Sequence, residues 1–163
     1  MTTEERTIQR DRMRFIRNST SANLCYLGIL FNVFYFVNLY QSDVGTYYYQ
    51  IFIGASIVYN LLFLLVVFLA SEAVKNYKQN YSYLLAAVGA MQIVRIFYIP
   101  MKAHAAMTAV NGVDVPVMGD GQFYLLSVYL LISAACLLAS AAVNFKKCQE
   151  LAEHMKTLEA QSA

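Results

Sequence analysis

The amino-acid sequence predicts an all-α integral membrane protein, a bundle of four transmembrane helices in a single membrane domain over residues 1–163. Of the 163 residues, 59% are hydrophobic and only 13% are charged, whereas charged residues make up about 25% of an ordinary soluble domain. Four separate apolar stretches also reach the roughly 20 residues that a helix needs to cross about 30 Å of hydrocarbon. We therefore expect the lipid bilayer itself to surround the domain.

The first element is a basic N-terminal arm, residues 1–21, with five arginines before the first long apolar stretch. These are Arg6, Arg10, Arg12, Arg14 and Arg17. On a helix they could bind the anionic lipids of the inner leaflet, where each basic residue contributes about 1 kcal/mol. The alternative is a solvated arm that only fixes the topology.

The four predicted spans are residues 22–40, 47–70, 83–101 and 123–145. We interpret the first as a span and not as a cleaved secretory signal, because it lacks a small-residue cleavage site and ends in bulky aromatic residues. The loop between the first two spans is very short, so these helices must be antiparallel neighbours.

Lysine and arginine residues set the predicted orientation, since cytoplasmic flanks hold the positive charge. Five lie in the arm, two between the second and third spans and three in the C-terminal tail, which makes ten of the twelve in the chain. We therefore expect both termini in the cytoplasm and the chain in a plasma or inner membrane. The net charge of +2 follows from this topology and predicts no nucleic-acid partner.

The segment 102–122 is the one long loop on the predicted outer side. Asn111 and Gly112 tolerate a positive φ and stand between β-forming residues, which indicates a β-hairpin turn. We expect a small extracytoplasmic cap at this end of the bundle.

The C-terminal tail, residues 146–163, keeps a helical period beyond the fourth span. Cys148, Leu151, Met155 and Leu158 follow a three-four-three spacing, so the part up to residue 158 could bind a second copy or another membrane protein. A plain amphipathic helix end is the alternative.

Polar and small residues form a row on each predicted span, at the spacing of a single helix face. These faces should point inward, where polar side chains hydrogen-bond between helices at about 0.6–2 kcal/mol each. The candidate binding residues, for helix contacts or for an anion, are Arg95, Gln92, Asn32, Tyr35, Asn60 and Ser133.

Arg95 needs a further explanation, because a cation at the centre of a spanning helix costs about 2.5–3.5 kcal/mol. None of the ten carboxylates lies in a predicted span. Four ways to satisfy the charge are open. Arg95 could snorkel to lipid phosphate, pair with Asp43, Asp114 or Asp120 from the outer loops, pair with an acid of another subunit, or bind an anion.

No constellation in the sequence supports catalysis. The chain has no nucleophile set, metalloprotease motif, P-loop or dinucleotide fingerprint, so we predict neither an enzyme nor a cofactor. We predict no metal site either. The nearest candidates are Met101, His104 and Met107, whose three-residue spacing could present soft ligands to copper, although methionine is also an ordinary packing residue.

Two functions remain open at this point. The first is a non-catalytic assembly subunit of a homo-oligomer or a larger membrane complex, bound through its polar helix faces and its tail. The alternative is an oligomeric channel or carrier with an anion site at Arg95 and Gln92.

Overall fold

The computed structural model describes residues 16–39, 47–110 and 112–162. Within these ranges the chain forms four helices and one two-stranded sheet. The helices are α1 Ser19–Leu39, α2 Tyr47–Lys75, α3 Asn80–Ala105 and α4 Asp120–Ser162, and the strands are β1 Met107–Val110 and β2 Val113–Pro116. The helical content confirms the predicted all-α class, and all four helices are long and apolar enough to cross a membrane, as a multi-pass membrane protein requires.

The helices extend beyond several of the predicted spans. At the start of α1, the Asn18 side-chain oxygen accepts a hydrogen bond from the backbone N–H of Ser21 at 3.4 Å, and this cap begins the helix ahead of the apolar run. The fourth span and the tail form one continuous helix of 43 residues. At 1.5 Å per residue it is about 65 Å long, roughly twice the thickness of the hydrocarbon.

The helices alternate in direction, and α4 is the element on which the others pack. It lies closely against α1 and α3, α1 also packs on α2, and α2 and α3 meet along a looser seam. Two glycines allow the close approach of α4. A Cβ atom added at Gly28 of α1 or Gly89 of α3 would lie 3.1 Å from a leucine side chain of α4.

Two apolar clusters fill the bundle, one toward each end. The cluster nearer the chain termini includes Phe63, Val67 and Leu137, and the cluster nearer the hairpin includes Leu126 and Leu130. Between them lies a layer of buried polar residues from all four helices: Asn32, Ser56, Asn60, Gln92, Arg95 and Ser133. The outer helix faces carry many exposed leucines, valines and phenylalanines, as expected of a surface in lipid.

A second set of buried polar residues ties three helices together near the chain termini. Asn18 donates to the side-chain oxygen of Asn144 at 3.0 Å, and Asn144 donates to Ser82 at 2.8 Å. Ser21 and Ser140 each donate to the backbone oxygen of the other at 2.8 Å. These bonds connect α1, α3 and α4 within the bundle, so this group needs no external ligand.

Strands β1 and β2 form an antiparallel hairpin in the loop where the sequence indicated a turn, with Val110 opposite Val113. Gly112 adopts φ +81°, a conformation that favours glycine. The ring of His104 stacks on Phe123 at 4.9 Å, and its Nδ1 lies 3.2 Å from the Met118 backbone oxygen. His104 therefore links the end of α3 to the start of α4. The position of the hairpin as a cap on the extracytoplasmic side stays a prediction.

Candidate functional site

Three-four spacing brings the polar residues of each helix onto one inward face. Asn32 lies on α1, Ser56 and Asn60 lie one turn apart on α2, and Gln92 and Arg95 lie one turn apart on α3; all five are buried. Ser133 of α4 is buried beside them. The structure therefore places the polar candidates of all four helices in the same layer.

The guanidinium of Arg95 donates to three neutral oxygens. Its NH1 group bonds to the side-chain oxygens of Asn32 at 3.2 Å and Asn60 at 2.9 Å, and NH2 bonds to Ser56 Oγ at 3.0 Å. A guanidinium has five N–H donors, and the buried Nε has no partner among the described residues. The hydrogen bonding of Arg95 is thus incomplete.

Two tyrosine rings flank the same guanidinium. Arg95 Cζ lies 4.4 Å from the ring centroid of Tyr35 on α1 and 4.6 Å from that of Tyr59 on α2. A cation over an aromatic face gains about 0.5–2 kcal/mol, more where the pair is desolvated. The rings therefore stabilise the charge without neutralising it.

The described part of the chain gives Arg95 no carboxylate partner. Arg95 is only 6% exposed, so it does not snorkel out of the bundle. Asp120 lies by His104, with Oδ1 3.7 Å from Nε2, and Asp114 is exposed on β2 opposite Ala109. Asp43 lies outside the described residues. Neutral dipoles and π faces surround this cation.

Gln92 extends the polar layer from α3 to α1 and α4. Its Nε2 donates to Asn32 at 2.9 Å and to Ser133 at 3.4 Å, and Ser133 donates to the Gly28 backbone oxygen at 2.8 Å. The Oε1 atom of Gln92 is buried and has no partner among the described residues. Gln92 therefore holds in place Asn32, the residue of α1 that accepts a hydrogen bond from Arg95, and links it to Ser133 of α4.

Along the loose seam between α2 and α3, a cavity of about 290 Å³ reaches Arg95. Its surface is almost wholly apolar, and Ser56, Tyr59, Tyr98, Met91 and Val94 line it together with Arg95. A second cavity of about 280 Å³ continues the seam, and Tyr59 and Met91 border both. We call these two cavities together the α2–α3 groove.

No protein-family model, curated protein or solved structure matches this chain.

The sequence pattern did not single out Tyr59. Tyrosine in a span is usually interpreted as packing or as part of an interfacial belt, and the role of Tyr59 depends on its stacking against Arg95 of a different helix. One signal was available, because Tyr59 is three residues after Ser56 and adjoins Asn60 on the polar row of α2.

The three metal candidates do not share a helical turn. Met101 and His104 lie in α3, but the helix ends at Ala105 and Met107 belongs to β1. Met101 and Met107 are both well exposed, and His104 is engaged by Met118 and Phe123. No group of three His, Cys, Asp or Glu residues in the described ranges is placed to hold a metal.

Proposed function

We propose that this chain is a non-catalytic, multi-pass membrane protein that binds a monoanion at Arg95, as a binding protein or a carrier. One observation carries the proposal. A buried arginine with only neutral partners in the described chain forms part of the wall of a 290 Å³ cavity.

The free energy of a buried charge favours an anion at this place. Two unit charges about 4 Å apart attract by about 4 kcal/mol at an effective dielectric constant near 20. Amide oxygens and tyrosine rings carry no net charge, so they leave this attraction available to a ligand. The cavity is also larger than an engineered cavity of about 150 Å³ that binds benzene, so a small organic anion fits.

The same contacts argue against the polar helix faces as a surface for a partner. Asn32, Asn60, Gln92 and Ser133 hydrogen-bond to groups within their own bundle. They therefore stabilise the fold of one chain, and a partner would meet the exposed apolar faces or the tail.

The test uses benzoate, a compact monoanion, and benzamide, its neutral counterpart, with the purified full chain in phosphatidylcholine nanodiscs. Isothermal titration should show one saturable benzoate site per chain and no such site for benzamide. Arg95→Gln should weaken binding about 10- to 100-fold, the range for a lost charge-assisted bond. Equal affinity for the two probes, or no saturable site, would refute the proposal.

Lys102→Gln is the matched control, because it removes another cation from the same helix. Lys102 lies outside the cavity, with Nζ 4.7 Å from the Tyr98 ring. The benzoate affinity of the Lys102→Gln variant should stay within about threefold of that of the unmodified protein. An equal loss in both variants would mean that the overall charge of the chain, and not the site, attracts the anion.

A second candidate function, assembly with a second copy or a larger complex, rests on the far end of α4. Met155 and Leu158 there are 50% and 46% exposed, and α4 is too long to lie wholly in hydrocarbon. Cys148 does not belong to this exposed seam, since it is buried and its Sγ donates to the Tyr77 backbone oxygen at 3.1 Å. The available seam is therefore shorter than the sequence predicted.

A Met155→Ser/Leu158→Ser double variant tests assembly without disturbing Cys148. Light scattering in detergent should show a smaller particle than for the unmodified chain if the seam joins copies. The same particle mass and the same co-purifying proteins in both would remove this candidate. For either function we propose a plasma or inner membrane with both termini in the cytoplasm, which the distribution of lysine and arginine supports.

A further inference from the structure

We infer that the anion is the carboxylate of a single-chain lipid, held with its head at Arg95 and its hydrocarbon chain in the α2–α3 groove. This inference rests on the proposed function and adds the ligand class, the route of entry and the direction of binding. Three features of the site favour this ligand: the single charge of Arg95, the apolar walls of the groove and the depth of the arginine.

One positive charge selects a monoanion. Arg95 is the only lysine or arginine that lines the groove in the described chain. A carboxylate neutralises it with one charge and can accept two hydrogen bonds from a guanidinium. NH2 bonds once to Ser56 and so keeps a second N–H for the ligand. A dianionic phosphate would leave a net negative charge in an apolar site, at a large desolvation cost.

The walls of the groove beyond Tyr59 fit a hydrocarbon chain. Leu62, Phe63 and Val66 of α2 face Val88 and Met91 of α3 across the second cavity. From Ser56 to Val66 the groove follows ten residues of α2, about 15 Å at 1.5 Å per residue. The two cavities share Tyr59 and Met91 and lie one after the other along the seam, an arrangement that suits one hydrocarbon chain better than the two of a diacyl lipid.

The depth of Arg95 favours the same ligand. Arg95 precedes Lys102 by seven residues, so it lies about 10 Å further into the bundle along α3. A fatty acid has no glycerol or phosphate to keep at the interface, and its carboxylate can follow the seam to this depth. Because the seam opens between two membrane-spanning helices, the ligand enters sideways from the bilayer.

The absence of tryptophan from the sequence allows a direct test with a single reporter. Leu62→Trp places the reporter in the groove, and Leu131→Trp places it on the lipid face of α4. The two leucines are matched in exposure, at 56% and 49%. Stearate brominated at mid-chain, a quencher of tryptophan fluorescence, is titrated into phosphatidylcholine nanodiscs that hold either variant of the full chain.

The Leu62→Trp reporter should reach half-maximal quenching at a roughly tenfold lower quencher concentration than the Leu131→Trp reporter. This difference should vanish with the methyl ester of the same brominated chain and in a Leu62→Trp/Arg95→Gln variant. If the Arg95→Gln variant does not fold, the comparison of quenching by the acid and by its ester on the Leu62→Trp protein still tests whether the carboxylate is required. A Val66→Trp reporter, placed at the other end of the groove, should repeat the result.

Three results would overturn the inference. The first is equal quenching at Leu131 and at both groove reporters, the second is equal quenching by acid and ester, and the third is an equal preference for brominated phosphatidylglycerol, which has two chains. Benzoate binding that still depends on Arg95 would leave the proposed function standing in each case. Loss of benzoate binding as well would remove both.

Discussion

Replacing Asn32 by aspartate should place a permanent counter-charge beside Arg95 and so mimic the bound anion. Asn32 Oδ1 lies 3.2 Å from Arg95 NH1, and the two side chains have nearly the same shape. At that distance two unit charges attract by about 5 kcal/mol at an effective dielectric constant near 20. Burying the new carboxylate costs several kcal/mol, and the bond that Asn32 donates to Asn60 at 3.1 Å is lost. The free energy of unfolding should therefore stay within about 2 kcal/mol of the unmodified protein.

Asn32→Leu is the matched variant without a charge. It removes three hydrogen bonds, two accepted from Gln92 and Arg95 and one donated to Asn60. At about 0.6–2 kcal/mol for each interhelical bond, the free energy of unfolding should fall by about 2–6 kcal/mol. Unfolding by titration of a denaturing detergent into mixed micelles measures both variants.

The benzoate affinities separate charge from packing. Because its own carboxylate satisfies Arg95, the Asn32→Asp protein should bind benzoate at least about tenfold more weakly than the unmodified chain. It should nevertheless stay folded. An Asn32→Asp protein with unchanged benzoate affinity would refute the view that the uncompensated charge of Arg95 attracts the ligand. An Asn32→Leu protein as stable as the original would refute the stabilising role of the polar layer.

Three further predictions follow from the packing and the orientation. The Tyr35 hydroxyl is buried without a hydrogen-bond partner among the described residues, so Tyr35→Phe should leave the free energy of unfolding unchanged or raise it slightly. Tyr35→Leu removes a π face from Arg95 and should lower the free energy of unfolding by about 1–2 kcal/mol. Equal effects of the two substitutions would contradict this prediction. Gly28→Val should lower the free energy of unfolding by about 1–3 kcal/mol through overpacking. Gly54→Val is the control and should not lower it in this way, because a Cβ atom there meets nothing within 4 Å. A Gly28 variant as stable as this control would show that α4 can move away from α1. Labelling of single cysteines, in a chain whose native cysteines are replaced, tests the orientation. Val113→Cys, at a site 63% exposed, should react with an impermeant maleimide on intact cells, and Lys156→Cys should react only after permeabilisation. The reverse pattern would invert the orientation.

The sequence was sufficient to predict those features that depend on the period of one helix. The four apolar lengths predicted the helices, and the three-residue spacing of Gln92 and Arg95 predicted that they share a buried face. The lack of a carboxylate in any span also led to the question of how Arg95 is satisfied. Each of these inferences needs only the geometry of a single helix.

Features that depend on how two helices sit against each other were not predictable in this way. The stacking of Tyr59 on Arg95 requires the rotation of α2 relative to α3, which no local pattern encodes. The groove exists because α4 draws α1 and α3 close, through Gly28 and Gly89, while α2 and α3 pack loosely. For the same reason the spacing of the tail did not reveal that Cys148 contacts Tyr77 of its own bundle.

The order of the polar partners along the chain bears on how the protein is made. Asn32, Ser56 and Asn60, which accept the hydrogen bonds of Arg95, all precede it in the sequence. Since a chain is made from its N-terminus, the helices that carry these acceptors are synthesised before α3. We therefore expect the insertion of α3 to depend on the hairpin of α1 and α2, which carries every oxygen that accepts a hydrogen bond from Arg95 in the described chain.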